Sequence, residues 1–296
     1  MSIYKHLDNI SMSLGGAFIK QRYFSESVES PSIKEWFDVV TLDVPAINGE
    51  GYYPVNAHYE GVTNEAAFRI EQWKGDQYPT IIYHHGAAEG SYDFSFNRIL
   101  KKDKNDIEAN LIAIQALFNH DLKDFMNSIP SLSNYSVMLA TSVLIVEELT
   151  DQIRKRSDNK IIVTGTSLGG FITNLHFTYY NTADYYKPML SGARMGDVFI
   201  DSAYSKVTSE NGKRNPDKLR SALNFQDDLR NQETKNLHLL LAKHDQLVKF
   251  DLQSQDFESE QISTIPYGHA SGATKFKLLR QHILKDLPHL DGGASQ

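Results

Sequence analysis

Apolar and polar residues alternate in short runs along the chain, and these runs predict a series of β-strands. Residues 37–45 and 53–61 alternate with the period of two that is typical of half-buried strands, and 67–73 is a candidate edge strand. Four further runs are short and mostly apolar, which favours buried strands, and they span residues 80–83, 110–117, 160–164 and 237–241; residues 261–265 complete the set of short β-type segments. The first two strands can pair as an antiparallel hairpin.

Helical patterns separate several of these strands. In residues 135–154 and 274–287, apolar side chains recur every three to four positions and form one continuous face. Strands that alternate with helices predict an α/β protein with a mainly parallel sheet and helices on both faces. We therefore expect one domain over residues 37–296, preceded by an N-terminal arm over residues 1–36.

The composition narrows the class of protein. The chain has 296 residues, 41% of them hydrophobic, which is enough for one large domain with a buried core. The formal net charge is -7 and no basic block stands out, so no nucleic-acid partner is expected. The absence of cysteine excludes disulfides, thiolate metal sites and a cysteine nucleophile. No apolar stretch approaches the ~20 residues that span a bilayer, and the first residues lack signal-peptide features. The expectation is a soluble, cytoplasmic protein without a membrane partner.

The pattern Gly-x-Ser-x-Gly occurs at residues 165–169, between a predicted strand and a predicted helix. In this context Ser167 lies in a strained turn, and the residues two before and two after it, Gly165 and Gly169, must be small. The following helix favours negative charge that develops near the serine. We interpret Ser167 as a nucleophile rather than as part of a purely structural turn. A second Ser-Leu-Gly-Gly at residues 13–16 lacks the first glycine and a preceding strand, so no function is expected of it.

A serine that transfers an acyl group also needs backbone N–H groups that stabilise an oxyanion. One donor should be Leu168, the residue after the nucleophile, and the other should come from a loop after an earlier strand. The candidate loop contains His85 and Gly86 directly after a short apolar run. Ala87 is the expected second donor, with Gly86 or Ala88 as alternatives.

The adjacent histidines His84 and His85 suggest a metal site at first sight. Neighbours on a strand point to opposite faces, so the two rings are not expected to bind one ion, and a structural role in the loop is favoured. The chain contains no HExxH, Gly-x-Gly-x-x-Gly or Walker A pattern. The sequence therefore predicts neither a metal nor a cofactor.

A serine nucleophile needs a neutral imidazole within hydrogen-bond reach. Among eleven histidines, His269 follows a predicted strand and precedes the last helix, and open α/β sheets place their sites in such loops. An acid must orient that imidazole, and Asp245 lies in the loop after the preceding strand. Asp201 is the rival acid, because it also precedes the last two predicted strands.

These motifs together resemble the α/β-hydrolase superfamily, and the resemblance extends from about residue 37 to about residue 287. It implies an eight-stranded sheet, hydrolytic chemistry and the triad order Ser, Asp, His that the chain shows. The acid loop is similar to the family's Gly-x-x-Asp-x-x-Val, with Ala242 in place of the glycine. The family commonly carries a lid between its sixth and seventh strands, and here residues 191–236 form a short, polar candidate for it.

The resulting expectation is a serine hydrolase that cleaves carboxylic esters of small or medium soluble molecules through an acyl-enzyme on Ser167. Such an ester is the only partner that the sequence predicts, and the oligomeric state is open. Peptidases, thioesterases and acyltransferases use the same triad and remain alternatives. A ligand-binding homologue without catalysis is a further alternative, although such proteins typically have a damaged triad.

Overall fold

The computed structural model describes Tyr4, Asp8 and residues 21–87, 89–233 and 235–285, apart from the side chain of Asp103. Within these residues, nine strands form one sheet in the order β1-β2-β3-β5-β4-β6-β7-β8-β9. The strands are β1 (Thr41–Asp43), β2 (Gly51–Tyr59), β3 (Val62–Gln72), β4 (Thr80–His84), β5 (Asn110–Gln115), β6 (Ile161–Thr166), β7 (Tyr185–Met189), β8 (Leu239–Ala242) and β9 (Ile262–Ile265). The sheet therefore has one strand more than the eight that the resemblance implied.

The sheet is antiparallel at one side and parallel at the other. β1, β2, β3 and β5 pair antiparallel in that order, so the predicted hairpin of the first two strands is confirmed. From β5 through β4, β6, β7 and β8 to β9, every pairing is parallel. The predicted α/β class with a mostly parallel sheet is confirmed.

The helices cover both faces of this sheet. They are α1 (Ile33–Val39), α2 (Phe94–Ile99), α3 (Leu122–Ser128), α4 (Leu132–Arg154), α5 (Leu168–Tyr179), α6 (Met195–Asp201), α7 (Glu210–Arg214), α8 (Pro216–Leu223), α9 (Gln226–Leu229), α10 (Phe250–Gln253), α11 (His269–Ala273) and α12 (Phe276–Leu284). Alternate residues of β4 point to opposite faces: Ile82 packs with α4 and α5, whereas Ile81 and Tyr83 pack with α2 and α12. None of the described helices is long and apolar enough to cross a bilayer.

The N-terminal third departs from the predicted strands. Residues 37–39 are the end of α1 rather than the start of a strand, because Ser32 and Glu35 form a capping box that starts a helix. The predicted edge strand at 67–73 is the end of the longer β3, which lies inside the sheet between β2 and β5.

The described part of the predicted N-terminal arm packs into the core. Tyr23, Phe24 and Trp36 are buried, and Tyr23 and Phe24 contact the rings of Tyr135 and Phe199. The arm thus contributes to the same apolar cluster as α4 and α6.

The parallel strands determine where chemistry can occur. Because β4, β6, β8 and β9 run in the same direction, their carboxyl ends meet at one edge of the sheet. The loops after these four strands hold His85, Ser167, Asp245 and His269 in turn. A ligand site is expected at this edge.

Candidate active site

Ser167 lies in a sharp turn between β6 and α5. Its backbone has φ 56° and ψ -111°, a left-handed conformation that is strained for a residue with a side chain. A Cβ on Gly165 would overlap the backbone of Gly169, and a Cβ on Gly169 would overlap the carbonyl oxygen of His84. The two glycines are therefore required by close backbone contacts, and the turn that they permit projects the serine hydroxyl from the sheet edge.

A continuous hydrogen-bonded chain joins Ser167, His269 and Asp245. The Nε2 atom of His269 lies 2.9 Å from the Oγ atom of Ser167, and its Nδ1 atom lies 2.7 Å from Oδ2 of Asp245. The other oxygen of Asp245 accepts hydrogen bonds from the N–H groups of Leu247 (2.8 Å) and Val248 (2.7 Å). The carboxylate is thereby fixed so that Nδ1–H donates to it and Nε2 is free to accept the serine proton.

The electrostatics favour a positive charge on the imidazole during reaction. Burial lowers the pKa of His269, but the charge and hydrogen bond of Asp245, together with the charge of Asp8, outweigh it, and the net pKa is raised. Burial also raises the pKa of Asp245, which its interaction with His269 partly offsets. Such an imidazole readily accepts a proton from a neighbouring hydroxyl.

The rival acid Asp201 lies elsewhere. Its carboxylate is half exposed at the end of α6 and accepts a hydrogen bond of 3.0 Å from the guanidinium of Arg220. Arg220 also pairs with Asp197. The structure therefore brings Asp245, and not Asp201, to His269.

The candidate backbone donors of the oxyanion site differ in whether their N–H groups already have an acceptor. The N–H of Gly86 donates to the Oε1 atom of Glu89 at 2.6 Å, so it is already occupied. Ala87 and Leu168 line the same cavity as Ser167, and no acceptor within the described residues takes either N–H. Ala88, the third alternative, lies outside the described residues.

Glu89 is a loop residue whose importance the sequence did not indicate. Besides Gly86, it accepts hydrogen bonds from the N–H (2.9 Å) and the hydroxyl (2.8 Å) of Ser95 at the start of α2. Burial raises the pKa of Glu89, and these hydrogen bonds offset part of that effect. Glu89 thus ties the loop after β4 to α2 and fixes the backbone around Ala87.

His85 supports the same loop from its other side. Its Nε2 accepts a hydrogen bond of 3.2 Å from the N–H of Ala116, and its Nδ1 lies 2.8 Å from the carbonyl oxygen of Gly86. Burial lowers the pKa of His85 to about 4, so the ring is neutral near pH 7. The expected structural role in the loop fits these contacts.

The argument that His84 and His85 point to opposite faces is wrong. Their rings stack with centroids 4.5 Å apart, because β4 ends at His84 and the strand alternation does not continue to His85. Within the described residues, no three His, Cys, Asp or Glu side chains are arranged to hold a metal ion.

Comparison with known proteins rests on structure alone. No protein-family model and no curated protein sequence matches the chain. Three solved structures have TM-scores of 0.50 to 0.54 at 14–15% identity. The chain has the α/β-hydrolase fold. An acylaminoacyl peptidase from Pyrococcus horikoshii matches 79% of it with a TM-score of 0.54 at 14% identity, but the chain spans only 40% of that protein.

This α/β-hydrolase-fold chain covers nearly the whole length of the other two structures. Acetyl xylan esterase 1 from Thermoanaerobacterium sp. JW/SL YS485 has a TM-score of 0.50 and 14% identity, over 83% of this chain and 91% of that one. Est1E from Butyrivibrio proteoclasticus has a TM-score of 0.52 and 15% identity, over 80% and 98% of the two chains. At these identities the likeness concerns the fold.

In this α/β-hydrolase fold, residues of the segment between β7 and β8 lie beside the serine. It contains the predicted lid residues 191–236, which form α6 to α9. A cavity of about 20 Å³ lies between this segment and the nucleophile turn. Its lining among the described residues is mostly apolar and consists of Ala87, Tyr135, Ser167, Leu168, Phe171, Met195, Val198, Phe199, Tyr204 and Val248. Apart from Ala87, Ser167 and Leu168, sequence patterns did not indicate this lining, because its members come from six separate segments.

Proposed function

We propose that this protein is a serine hydrolase that cleaves carboxylic esters of small or medium soluble molecules. The observation that carries the proposal is the hydrogen-bonded chain from Asp245 through His269 to Ser167, with distances of 2.7 and 2.9 Å. The backbone N–H groups of Ala87 and Leu168 at the same cavity, which no acceptor among the described residues takes, support it. Esterases among the structural neighbours are consistent with it at the level of the fold.

On this proposal, the Oγ atom of Ser167 attacks the ester carbonyl while Nε2 of His269 accepts the hydroxyl proton. The N–H groups of Leu168 and Ala87 stabilise the oxyanion of the tetrahedral intermediate. The imidazolium then donates its proton to the departing alcohol, which leaves an acyl group on Ser167. Asp245 stabilises the imidazolium and holds its Nδ1–H toward the carboxylate.

The second half of the reaction reverses these roles with water as the nucleophile. Nε2 of His269 accepts a proton from the water, which attacks the acyl carbon of the acyl-enzyme. The same two N–H groups stabilise the second oxyanion. Collapse of this intermediate returns the proton from His269 to the Oγ atom of Ser167 and releases the carboxylic acid.

The cavity beside Ser167 favours a short acyl group. A volume of about 20 Å³ is close to the minimum that holds one water molecule, so the space that the described residues leave beside Ser167 favours a small group over a long chain. Among the described residues, the lining offers apolar contact from Leu168, Met195 and Val198 and contains no charged side chain. We therefore assign acetyl-sized or similarly short acyl groups as the preferred substrates.

The test uses purified protein and a panel of p-nitrophenyl esters with acyl chains of increasing length, together with thioesters and aminoacyl-naphthylamides. We expect ester hydrolysis that is fastest for short chains, and loss of both hydrolysis and fluorophosphonate labelling in Ser167→Ala. Ser13→Ala is the matched control, because Ser13 has the same Leu-Gly-Gly after it and should leave both unchanged. Ester hydrolysis that persists in Ser167→Ala overturns the proposal, and faster cleavage of naphthylamides than of esters favours a peptidase.

A further inference from the structure

Asp8 lies far from the triad in sequence and next to it in space. Its side chain is fully buried, and its carboxylate accepts three backbone hydrogen bonds. The donors are the N–H groups of Gln246 (3.0 Å), His269 (2.8 Å) and Ala270 (3.1 Å). Gln246 directly follows the acid Asp245, and the other two are the base and its neighbour. One carboxylate therefore joins the loop that carries the acid to the loop that carries the base.

The glycine before His269 is explained by the same carboxylate. A Cβ on Gly268 would lie 2.7 Å from Oδ2 of Asp8, which is closer than a Cβ approaches any atom in ordinary packing. The Gly-His pair is therefore needed for the approach of Asp8 to the backbone of the base loop. The contact with Asp8, rather than the backbone conformation of the turn, is therefore the reason for a glycine at position 268.

Tyr4, four positions before Asp8, contacts the same two loops. Its ring stacks on His244 with centroids 6.1 Å apart and meets Tyr267 edge-on at 5.3 Å. Tyr4 and Asp8 both have helical backbone conformations. Two side chains of the N-terminal segment thus hold the residues on both sides of the acid and the base.

Among the described residues, two carboxylates act on the imidazole of His269. Asp245 lies at Nδ1, Asp8 lies at the backbone N–H, and the Ser167 hydroxyl lies at Nε2. The cation of the adjoining segment, Lys275, lies over the ring of Tyr267, 4.7 Å from its centroid. The charge of Asp8 adds to that of Asp245 in raising the pKa of His269 against the effect of burial.

We propose that Asp8 is a positioning residue of this site: its carboxylate holds the acid loop and the base loop in register and stabilises the imidazolium of His269. The catalytic part of this inference rests on the proposed hydrolase function. Asp8 contacts neither substrate nor reacting atoms, and it acts through His269. Its removal leaves one buried and two half-buried N–H groups without this acceptor, so the two loops lose their common anchor.

The variant that tests this role is Asp8→Asn, which keeps the shape of the side chain but removes its charge and one acceptor oxygen. Asp184→Asn is the matched control. Asp184 also joins separate segments, because it accepts hydrogen bonds from the N–H of Ile161 (2.9 Å) and from Lys160 (2.8 Å) at the opposite end of β6. Both variants lose a structural carboxylate, but only the first loses one beside His269.

We expect Asp8→Asn to lower kcat for a short ester by about 10- to 100-fold with little change in KM, as displacement of a catalytic group does. The acid limb of the kcat/KM profile should move to lower pH, because the imidazole loses a stabilising negative charge. An NMR titration of the His269 ring, assigned with His269→Gln, should show the same downward shift in the folded protein. Asp184→Asn should leave the pH profile and the NMR midpoint at the wild-type values.

An unchanged NMR midpoint in Asp8→Asn overturns the proposal, and so does a loss of activity that only follows the loss of folded protein. The NMR titration needs no turnover. If the wild-type protein hydrolyses no ester and Ser167 is not labelled, the hydrolase proposal fails while the midpoint still tests the placement and charge of Asp8.

Discussion

Replacement of Asp245 by asparagine tests the triad by changing only the carboxylate of the acid into an amide. In the native site, one carboxylate oxygen accepts from Leu247 and Val248 and the other accepts from Nδ1 of His269. An asparagine oxygen can replace the first of these, since both N–H donors converge on it. The amide NH₂ group then faces His269, and it can donate only to an Nδ1 that carries no proton.

This change imposes the wrong tautomer on the imidazole. With Nδ1 as acceptor, the proton lies on Nε2, which then donates to Ser167 and cannot accept the hydroxyl proton. The same substitution in a Ser-His-Asp protease lowers kcat by about 10⁴-fold, so we expect a loss of that order for Asp245→Asn. At about 1.4 kcal/mol for each tenfold, this is roughly 5 to 6 kcal/mol of activation free energy.

The assay is hydrolysis of p-nitrophenyl acetate together with the rate of fluorophosphonate labelling, both measured on folded protein near pH 8. Asp201→Asn is the matched control, because Asp201 pairs with Arg220 at a half-exposed position and should retain nearly full activity. If Asp245→Asn retains more than about a tenth of the wild-type kcat, the assignment of the acid is refuted, and a large loss in Asp201→Asn would point to the rival.

Three further outcomes are expected. Gly169→Ala places a Cβ into a neighbouring carbonyl and should lower stability by at least about 1 to 3 kcal/mol in thermal melts, whereas Gly90→Ala, with open space around it, should leave the melting temperature unchanged. Met195→Ala enlarges the cavity and should raise kcat/KM for a butyrate ester relative to an acetate ester, while it lowers the free energy of unfolding by about 2 to 5 kcal/mol. An unchanged ratio of the two kcat/KM values would show that this cavity does not bind the acyl group. Because the neutral imidazole is the active form and the pKa of His269 is raised, kcat/KM should fall on acidification with a midpoint above the ordinary value of about 6.5, and a midpoint below it would contradict the electrostatics.

Local chemistry explains which parts of the site could be predicted from the sequence. The nucleophile turn needs small residues at positions 165 and 169, and both lie within the five consecutive residues of the Gly-x-Ser-x-Gly pattern. The base and the acid could be placed because each follows a short predicted strand, and parallel strands bring such loops to one edge. These inferences needed only the neighbours of each residue along the chain.

The elements that were missed carry conflicting local signals. Residues 37–45 alternate as a strand does, but the capping box of Ser32 and Glu35 starts a helix just before them and extends it to Val39. β7 has the sequence Tyr-Tyr-Lys-Pro-Met, in which Lys187 and Pro188 argue against an interior strand. Pro188 fits there opposite Gly165 of β6, within a pairing that only the tertiary structure specifies.

Asp8 shows the limit of the motif argument most clearly. Nothing in its own neighbourhood distinguishes it from the other acidic residues of the chain, since its partners are backbone groups of residues 246, 269 and 270. A variant with asparagine at position 8 would keep every motif residue, Ser167, Asp245 and His269 included. On the inference made above, it would still lose most of its kcat, because the hydrogen-bond geometry of the triad depends on a contact that crosses almost the whole sequence. Intact motifs are therefore a necessary condition for this site. The correct relative position of the acid loop and the base loop is a second condition, and Asp8→Asn tests it separately.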